Sequence, residues 1–187
     1  MNTPQNHNSI RKLVLLALFA AIMCVLSPFT LPTGIVPISL ATFALYLTSA
    51  IIGKWSAASV AVYIALGAVG LPVFSGAAGG IEKLVGPTGG YIIGYLPCAF
   101  IAGLIIDKFE DKKWAYPLGM ALGTVVLYAL GTAWFIYVMG QKGTPYTLGA
   151  ALMACVVPFL IGDAIKIIAS AIIGMSVRKA LGKQGLK

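Results

Sequence analysis

The sequence has few charged residues for its length. Only 10% of its 187 residues are Asp, Glu, Lys or Arg, whereas 59% are hydrophobic and the mean hydropathy is +0.96. A soluble domain carries about 25% charged residues. The chain also lacks the clustered basic residues on a polar face that nucleic-acid binding requires. The composition therefore predicts an integral membrane protein.

Residues that form metal and nucleotide sites are also scarce. His7 is the only histidine, and Cys24, Cys98 and Cys155 lie in apolar runs without a CxxC spacing, so we expect neither a metal nor a cofactor. The sequence has no GxxxxGK[ST] motif, which binds the phosphates of ATP. If the protein uses ATP, the ATPase must be another polypeptide.

Six apolar runs are candidates for membrane-spanning helices, which need about 20 apolar residues each. The second and third runs are short and nearly continuous, which indicates a tight turn at Gly53-Lys54. We therefore predict an all-α membrane protein, a compact bundle of six transmembrane helices. The runs are 11–31, 38–53, 55–71, 89–107, 115–140 and 148–177.

The basic residues predict the orientation of this bundle. Cytoplasmic segments are rich in Lys and Arg, and an inside amino terminus with six crossings gives both termini a cytoplasmic location. Ten basic residues then face the cytoplasm, while Lys83 and Lys142 face outward and Lys166 lies within a span. The ten are Arg11, Lys12, Lys54, Lys108, Lys112, Lys113, Arg178, Lys179, Lys183 and Lys187.

The chain is predicted to be one transmembrane domain over residues 1–187. A polar leader of about ten residues precedes the first run, and a basic cytoplasmic tail covers about 178–187. The first run resembles a signal peptide, but no small-x-small cleavage site follows it. We therefore expect it to be retained as the first helix.

Two charges interrupt the last apolar run, in the stretch GDAIKII at 162–168. An Asp or Lys at the centre of a membrane helix costs about 2.5–3.5 kcal/mol, so such residues generally serve a function. Asp163 and Lys166 are three positions apart and face the same side of a helix. They predict the polar centre of a helix-lined cavity, or alternatively an ion pair that only holds the bundle together.

A glycine-rich stretch, VGPTGGY at 85–91, precedes the fourth run. Gly86, Gly89 and Gly90 would let backbone N–H groups approach a bound molecule, and Thr88 could cap the helix. Tyr91, with Tyr95 on the same helix face, could form an aromatic wall or belong to the interfacial aromatic belt.

Three motifs together resemble the BioY family, the biotin-binding S components of energy-coupling-factor (ECF) vitamin transporters. They are VPISLATFALYL at 36–47, GGIEKLVGPTGGYIIGYLPCAFIAGL at 79–104 and GDAIKII at 162–168. Ala41 departs from the expected pattern, in which a glutamine stands near this position. The resemblance covers about residues 11–180.

The resemblance implies a six-helix bundle with an outward-facing cavity for biotin, covered by the first outer loop, LPTGIVPISL. In such a site Asp163 would accept a hydrogen bond from a ureido N–H, and Lys166 would donate to the ureido carbonyl or the carboxylate. Gly86, Thr88, Gly89, Gly90 and Tyr91 would supply backbone donors and an aromatic wall. Biotin would be the transported substrate, and the protein would lie in a prokaryotic cell membrane.

The resemblance also implies partner proteins. S components dock to a transmembrane coupling subunit that carries two ATPases, through a stripe of small residues on the first helix. Ala17 and Ala21 form such a stripe. The same alanines could instead pack inside the bundle.

Rival functions remain open from the sequence. An intramembrane aspartyl protease needs a GxGD motif, but the first glycine is missing before Ile161-Gly162-Asp163. A Lys166–Ser170 dyad could also be drawn, although such a serine more often bonds its own helix backbone. A self-sufficient secondary transporter or facilitator could use Asp163 and Lys166 as a gate. The ligand could also be another small vitamin.

Overall fold

The computed structural model describes residues 5–31 and 36–183. The regular secondary structure of these residues is helical apart from an isolated bridge between Phe74 and Ala78 and a short antiparallel strand pair after the first helix, in which Thr30 is opposite Ser39. The elements are α1 (Gln5–Leu26), β1 (Thr30–Leu31), β2 (Ile38–Ser39), α2 (Ala41–Ile52), a 3-10 turn (Gly53–Trp55), α3 (Ser56–Ala68), α4 (Ile81–Val85), α5 (Gly89–Lys108), α6 (Ala115–Gln141), α7 (Leu148–Cys155) and α8 (Val157–Lys183).

Five helical stretches of the described residues are long and apolar enough to cross a membrane. The prediction of an α-helical membrane protein is therefore confirmed. One of the stretches, Ala41–Ala68, combines α2, the 3-10 turn and α3, which were expected as two spans. The stretches are Ser9–Leu26, Ala41–Ala68, Gly89–Lys108, Ala115–Gln141 and Val157–Gly182.

Contacts with α1 show that α2 and α3 run in opposite directions. Near the start of α1, the Lys12 ammonium lies 5.6 Å from the centre of the Trp55 ring, in the turn between the two helices. At the other end of α1, the Ser27 carbonyl accepts a 2.9 Å bond from Ser39, just before α2. The Ser27 hydroxyl lies 2.6 Å from that of Tyr63, in the second half of α3. The predicted turn at Gly53-Lys54 therefore reverses the chain.

The last predicted span, 148–177, is interrupted. Helix α7 ends at Cys155, and α8 begins at Val157. Pro158 has no N–H to donate and restricts the residue before it, so a continuous helix is disfavoured at this point. The prediction of one continuous helix over this range was therefore wrong.

Helices α5 and α6 form the most closely packed pair in the bundle. Gly94 lies against Leu127, and Gly123 lies against the backbone of Cys98. Glycines allow two helix backbones to approach closely inside a membrane protein. This close packing fixes the positions of Tyr91 and Tyr95 on α5 relative to the side chains of α6.

The loop between α3 and α4 has a defined structure. Phe74 pairs with Ala78 in a short β-bridge, and its ring is only 1% exposed. The ring packs edge-on against Tyr63, with 5.6 Å between ring centres, and fills the space beside Gly67. The loop is therefore anchored to α3.

An ion cluster joins three elements at the end of the bundle that contains Lys12. Arg178 of α8 lies 2.6 Å from the Asp107 carboxylate of α5 and 3.4 Å from Glu110. The Lys54 N–H donates a 2.9 Å bond to the other oxygen of Asp107. Gly53 has a φ of +60°, and a Cβ there would collide with this carboxylate. We call Asp107, Glu110 and Arg178 the inner cluster.

Candidate functional site

A cavity of about 50 Å³ lies at the other end of the bundle, among α2, α5, α6, α7 and α8. Polar groups occupy one side of it, and aromatic and aliphatic side chains form the rest. The lining residues are Val36, Pro37, Ser39, Thr42, Tyr91, Tyr95, Leu127, Tyr128, Cys155, Phe159, Asp163 and Lys166.

Asp163 is the acidic group of this cavity, and it is 4% exposed. Its Oδ1 atom accepts bonds from the Thr42 hydroxyl at 3.0 Å and the Lys166 ammonium at 3.1 Å. Its Oδ2 atom accepts a 2.6 Å bond from the Tyr128 hydroxyl. A carboxylate can accept about four hydrogen bonds, so Oδ2 has capacity for one more.

Lys166 uses all of its donors within the protein. Its ammonium donates to the Ser39 carbonyl at 2.8 Å, to the Thr42 hydroxyl at 2.9 Å and to Asp163 at 3.1 Å. A lysine ammonium has three N–H donors. Lys166 can therefore contact a ligand only by giving up one of these bonds.

The expected aromatic wall is present. Tyr91 and Tyr95 of α5 are 8% and 7% exposed, and both line the cavity. The Tyr91 hydroxyl lies 3.0 Å from that of Thr132 and donates a 3.4 Å bond to the Cys155 carbonyl. These bonds fix the Tyr91 ring as a rigid surface.

The other residues of VGPTGGY lie beside the cavity without lining it. The Gly86 carbonyl accepts a 2.9 Å bond from the Trp134 indole, and Gly90 packs against the same side chain. Gly89 packs against the backbone of Leu84. Thr88 precedes α5, but its hydroxyl makes no capping bond. The structure therefore brings Tyr91, but not Gly86, Thr88, Gly89 or Gly90, into the group that contains Asp163 and Lys166.

The segment predicted to be the first outer loop contributes to the cavity through its second half. Val36, Pro37 and Ser39 line it, while residues 32–35 lie outside the described part of the chain. The Ser39 hydroxyl accepts a 2.9 Å bond from the Ala41 N–H. Since Ser39 also binds Lys166 through its carbonyl, this segment is attached directly to α8.

The sequence did not identify two of the polar residues that contact the pair. Thr42 and Tyr128 both hydrogen-bond Asp163, from α2 and α6 respectively. Their signal was weak, because each is an uncharged residue in a mostly apolar helix that contains other hydroxyl side chains. Thr42 directly follows Ala41, the residue that departs from the sequence pattern expected for the BioY family.

Ala17 and Ala21 lie on the outer surface of the described bundle. Both are exposed, and they share their face of α1 with Leu13, Leu18 and Val25. They are therefore not packed inside the chain, and the alternative of internal packing was wrong.

A larger cavity, of about 230 Å³, lies beside the inner cluster. Asp107, Glu110 and Arg178 line it together with Lys12 and Trp55. We favour the smaller cavity as the site, because the Asp163 side chain is only 5% exposed, whereas those of Asp107 and Glu110 are 26% and 33% exposed, and a hydrogen bond is stronger where water is excluded. In the smaller cavity a buried carboxylate retains capacity to accept a bond.

The enzyme dyad suggested by the sequence does not form. The Ser170 hydroxyl donates a 3.4 Å bond to the Phe43 carbonyl, while Lys166 binds Ser39, Thr42 and Asp163. Lys166 therefore does not activate Ser170 as a nucleophile in this structure.

Comparisons with known proteins agree on one family. The BioY family model matches residues 1–183. The chain is 36% identical over 171 residues to the biotin transporter BioY of Thermotoga maritima, covering 91% of this chain and 97% of the relative. It is 35% identical over 177 residues to the biotin transporter BioY of Rhodobacter capsulatus, covering 89% and 93%.

A solved structure extends this agreement to the fold. It is a crystal structure of the S-component for biotin from an ECF-type ABC transporter, with a TM-score of 0.82 and 28% sequence identity. The similarity covers 96% of this chain and 95% of that chain. The chain therefore belongs to the BioY family.

Proposed function

We propose that this protein is the membrane-embedded biotin-binding subunit, or S component, of an ECF-type uptake system. One observation carries the proposal: the buried Asp163 carboxylate lines a cavity and can accept one more hydrogen bond at Oδ2. The relatives named as biotin transporters and the S-component fold support biotin as the ligand.

The chemistry of biotin fits this site. Its ureido ring presents N–H donors and a polar carbonyl, and the Asp163 carboxylate would accept one of these N–H groups. Hydrogen bonds to charged groups contribute about 1.5–3 kcal/mol each. Tyr91, Tyr95 and Phe159 provide an apolar surface for the fused thioether ring. Lys166 supplies the positive charge that offsets the buried carboxylate.

The predicted glycine contacts remain part of the proposal. Gly86, Thr88, Gly89 and Gly90 would meet the ligand only if the cavity extends toward the start of α5 when biotin enters. In the present structure Gly86 and Gly90 contact Trp134, and Gly89 contacts the backbone of Leu84.

We further propose six membrane crossings with both termini in the cytoplasm and the cavity facing outward. The reversal between α2 and α3 supports a separate crossing for each, because Lys12 and Trp55 lie at one end and Ser27 and Tyr63 at the other. The basic residues near the inner cluster support a cytoplasmic location for that end.

A transmembrane coupling subunit with two ATPases would complete the transporter. The present chain has no phosphate-binding motif of its own. The exposed faces of Ala17 and Ala21 suit close packing against another membrane helix. We expect Ala17→Trp combined with Ala21→Trp to abolish co-purification with the coupling subunit while biotin affinity stays within about twofold of wild type.

Two experiments test this function. A thermal-shift panel of vitamins on the purified protein should give its largest stabilisation with biotin, since a bound ligand stabilises the folded state. Stabilisation by another vitamin alone would reject the substrate. Liposomes that contain only this chain should not accumulate biotin, whereas sustained uptake without ATPase subunits would support a self-sufficient transporter.

A further inference from the structure

The larger cavity, of about 230 Å³, lies at the boundary of the membrane-spanning part of the chain. Lys12 and Arg178 both line it, and they lie near the ends of the apolar stretches Ser9–Leu26 and Val157–Gly182. The ends of such stretches lie where lipid headgroups meet acyl chains, a region in which Trp side chains are also frequent. The proposed biotin site makes no use of this cavity.

The lining of the larger cavity has an apolar part and a charged part. On α1, Leu16 lies farther into the membrane-spanning stretch than Lys12. On α2, Ile52 lies farther in than Trp55, because the chain reverses at the turn that contains Trp55. A molecule with an apolar chain and a polar head matches this order, whereas a fully polar solute would leave the apolar part unfilled. The apolar lining residues are Leu15, Leu16, Ile51, Ile52 and Leu181.

The charged part contains a cation and an anionic group. Within the described part of the chain the Lys12 ammonium forms no ion pair, and it lies 5.6 Å from the centre of the Trp55 ring. The inner cluster has two carboxylates and one guanidinium, which leaves one net negative charge. Lys54 and Lys108 are exposed and do not line the cavity, so dissolved salt screens their charge.

A phosphoethanolamine headgroup carries the complementary charges. Its phosphodiester is negative and offers acceptor oxygens, for which the Lys12 ammonium and the Trp55 indole N–H are donors. Its primary ammonium is positive and has three N–H donors, for which the carboxylates of Asp107 and Glu110 are acceptors. A phosphocholine headgroup has no N–H to donate, and a phosphoglycerol headgroup has no positive charge. The charge pattern therefore favours phosphoethanolamine.

We propose that the larger cavity binds one phospholipid with a phosphoethanolamine headgroup. The phosphate contacts Lys12 and Trp55, and the ammonium contacts the carboxylates of the inner cluster. An acyl chain lies along Leu16 and Ile52. This is a second site, and it does not rest on the binding of biotin at Asp163.

The test is a competition among three phospholipids with identical acyl chains for the purified full-length protein in detergent. Their headgroups are phosphoethanolamine, phosphocholine and phosphoglycerol, and native mass spectrometry measures the lipid that is retained. Wild-type protein should retain the phosphoethanolamine lipid about fivefold more than either competitor, the value of one hydrogen bond. Soluble glycerophosphoethanolamine has the same headgroup without acyl chains. It should not compete at the same concentration, because it cannot fill the apolar part of the cavity.

Three variants locate the lipid. Lys12→Met removes the cation that faces the phosphate, so retention of the phosphoethanolamine lipid should fall by about fivefold. Lys108→Met is the matched control, because its ammonium also lies 5.6 Å from an aromatic ring, that of Phe109, but outside the lining. It should change retention by less than about twofold. Glu110→Gln removes an acceptor charge, so the preference over the phosphoglycerol lipid should fall by about fivefold.

Four outcomes would overturn the proposal. Equal retention of the three lipids by wild-type protein would favour a segment of a partner protein as the occupant. A preference for phosphoglycerol, or equal losses in Lys12→Met and Lys108→Met, would indicate only a general attraction of this end for anionic lipid. Competition by the soluble headgroup would indicate a site for a polar solute. If Lys12→Met does not fold, the wild-type competition and Glu110→Gln decide, because neither requires that variant.

Discussion

Helix α8 carries two groups of charges that differ in what they connect. Near its start, Asp163 and Lys166 belong to the same helix turn and line a cavity. Near its end, Arg178 contacts Asp107, which is 71 residues earlier in the chain. The Asp163 side chain is only 5% exposed, whereas that of Asp107 is 26% exposed and accepts bonds from both Arg178 and the Lys54 N–H.

This difference separates a binding role from a structural one. An ion pair within one helix turn cannot by itself hold two helices together, so its contribution to the bundle comes only through Thr42, Tyr128 and Ser39. The inner cluster joins α5, α8 and the turn before α3. We therefore expect changes in the first pair to affect mainly ligand affinity, and changes in the inner cluster to affect mainly stability.

The largest expected effect is on ligand affinity at Asp163. Asp163→Asn removes the negative charge that accepts the ureido N–H and leaves Lys166 without its counter-ion. Since a bond to a charged group contributes about 1.5–3 kcal/mol, biotin affinity should fall roughly 10- to 150-fold. Titration calorimetry measures this effect. Wild-type affinity in the folded variant would show that Asp163 has only a structural role.

The second largest effect is expected on the stability of the protein when a residue of the inner cluster is replaced. Arg178→Gln leaves Asp107 without its guanidinium partner, and we expect the free energy of unfolding to fall by about 1–3 kcal/mol. Thermal unfolding in detergent should show a lower midpoint, while the folded protein keeps its biotin affinity within about twofold. Adding Asp107→Asn should recover part of the loss, because it removes the unpaired carboxylate. A large loss of affinity with unchanged stability would reverse the two roles.

The smallest expected effect is on biotin affinity when the Tyr91 ring is displaced. Two glycines of α6 allow this to be tested with a matched control. A Cβ at Gly131 would collide with the Tyr91 ring, whereas a Cβ at Gly140 would meet nothing within 4 Å. Gly131→Ala should therefore displace Tyr91 and weaken biotin binding by roughly three- to tenfold, equivalent to about 1 kcal/mol.

Gly140→Ala is the matched control for this change. It adds the same methyl group to the same helix and should leave biotin affinity unchanged. Equal affinities in the two variants would show that the position of the Tyr91 ring does not matter for binding.

The sequence identified the groups whose arrangement follows from local geometry. Asp163 and Lys166 face one side because they are three residues apart on a helix, and Tyr91 and Tyr95 do so at a spacing of four. In each case the relevant distance lies within one helix or one turn.

Contacts between helices could not be predicted in the same way. Thr42 and Tyr128 reach Asp163 from helices that lie 121 and 35 residues earlier in the chain. Their positions depend on the packing of α2, α6 and α8. The glycines of VGPTGGY illustrate the same point, because their neighbours Trp134 and Leu84 explain their size without reference to a ligand.

A structure of the protein with biotin bound tests the central claim most directly. We predict that the ureido ring will lie in the cavity of Asp163, with one of its nitrogen atoms about 2.9 Å from Oδ2. The inner cluster should keep its Arg178–Asp107 contact. Biotin in the larger cavity beside Arg178, with the Asp163, Lys166 and Tyr128 contacts unchanged, would contradict the account.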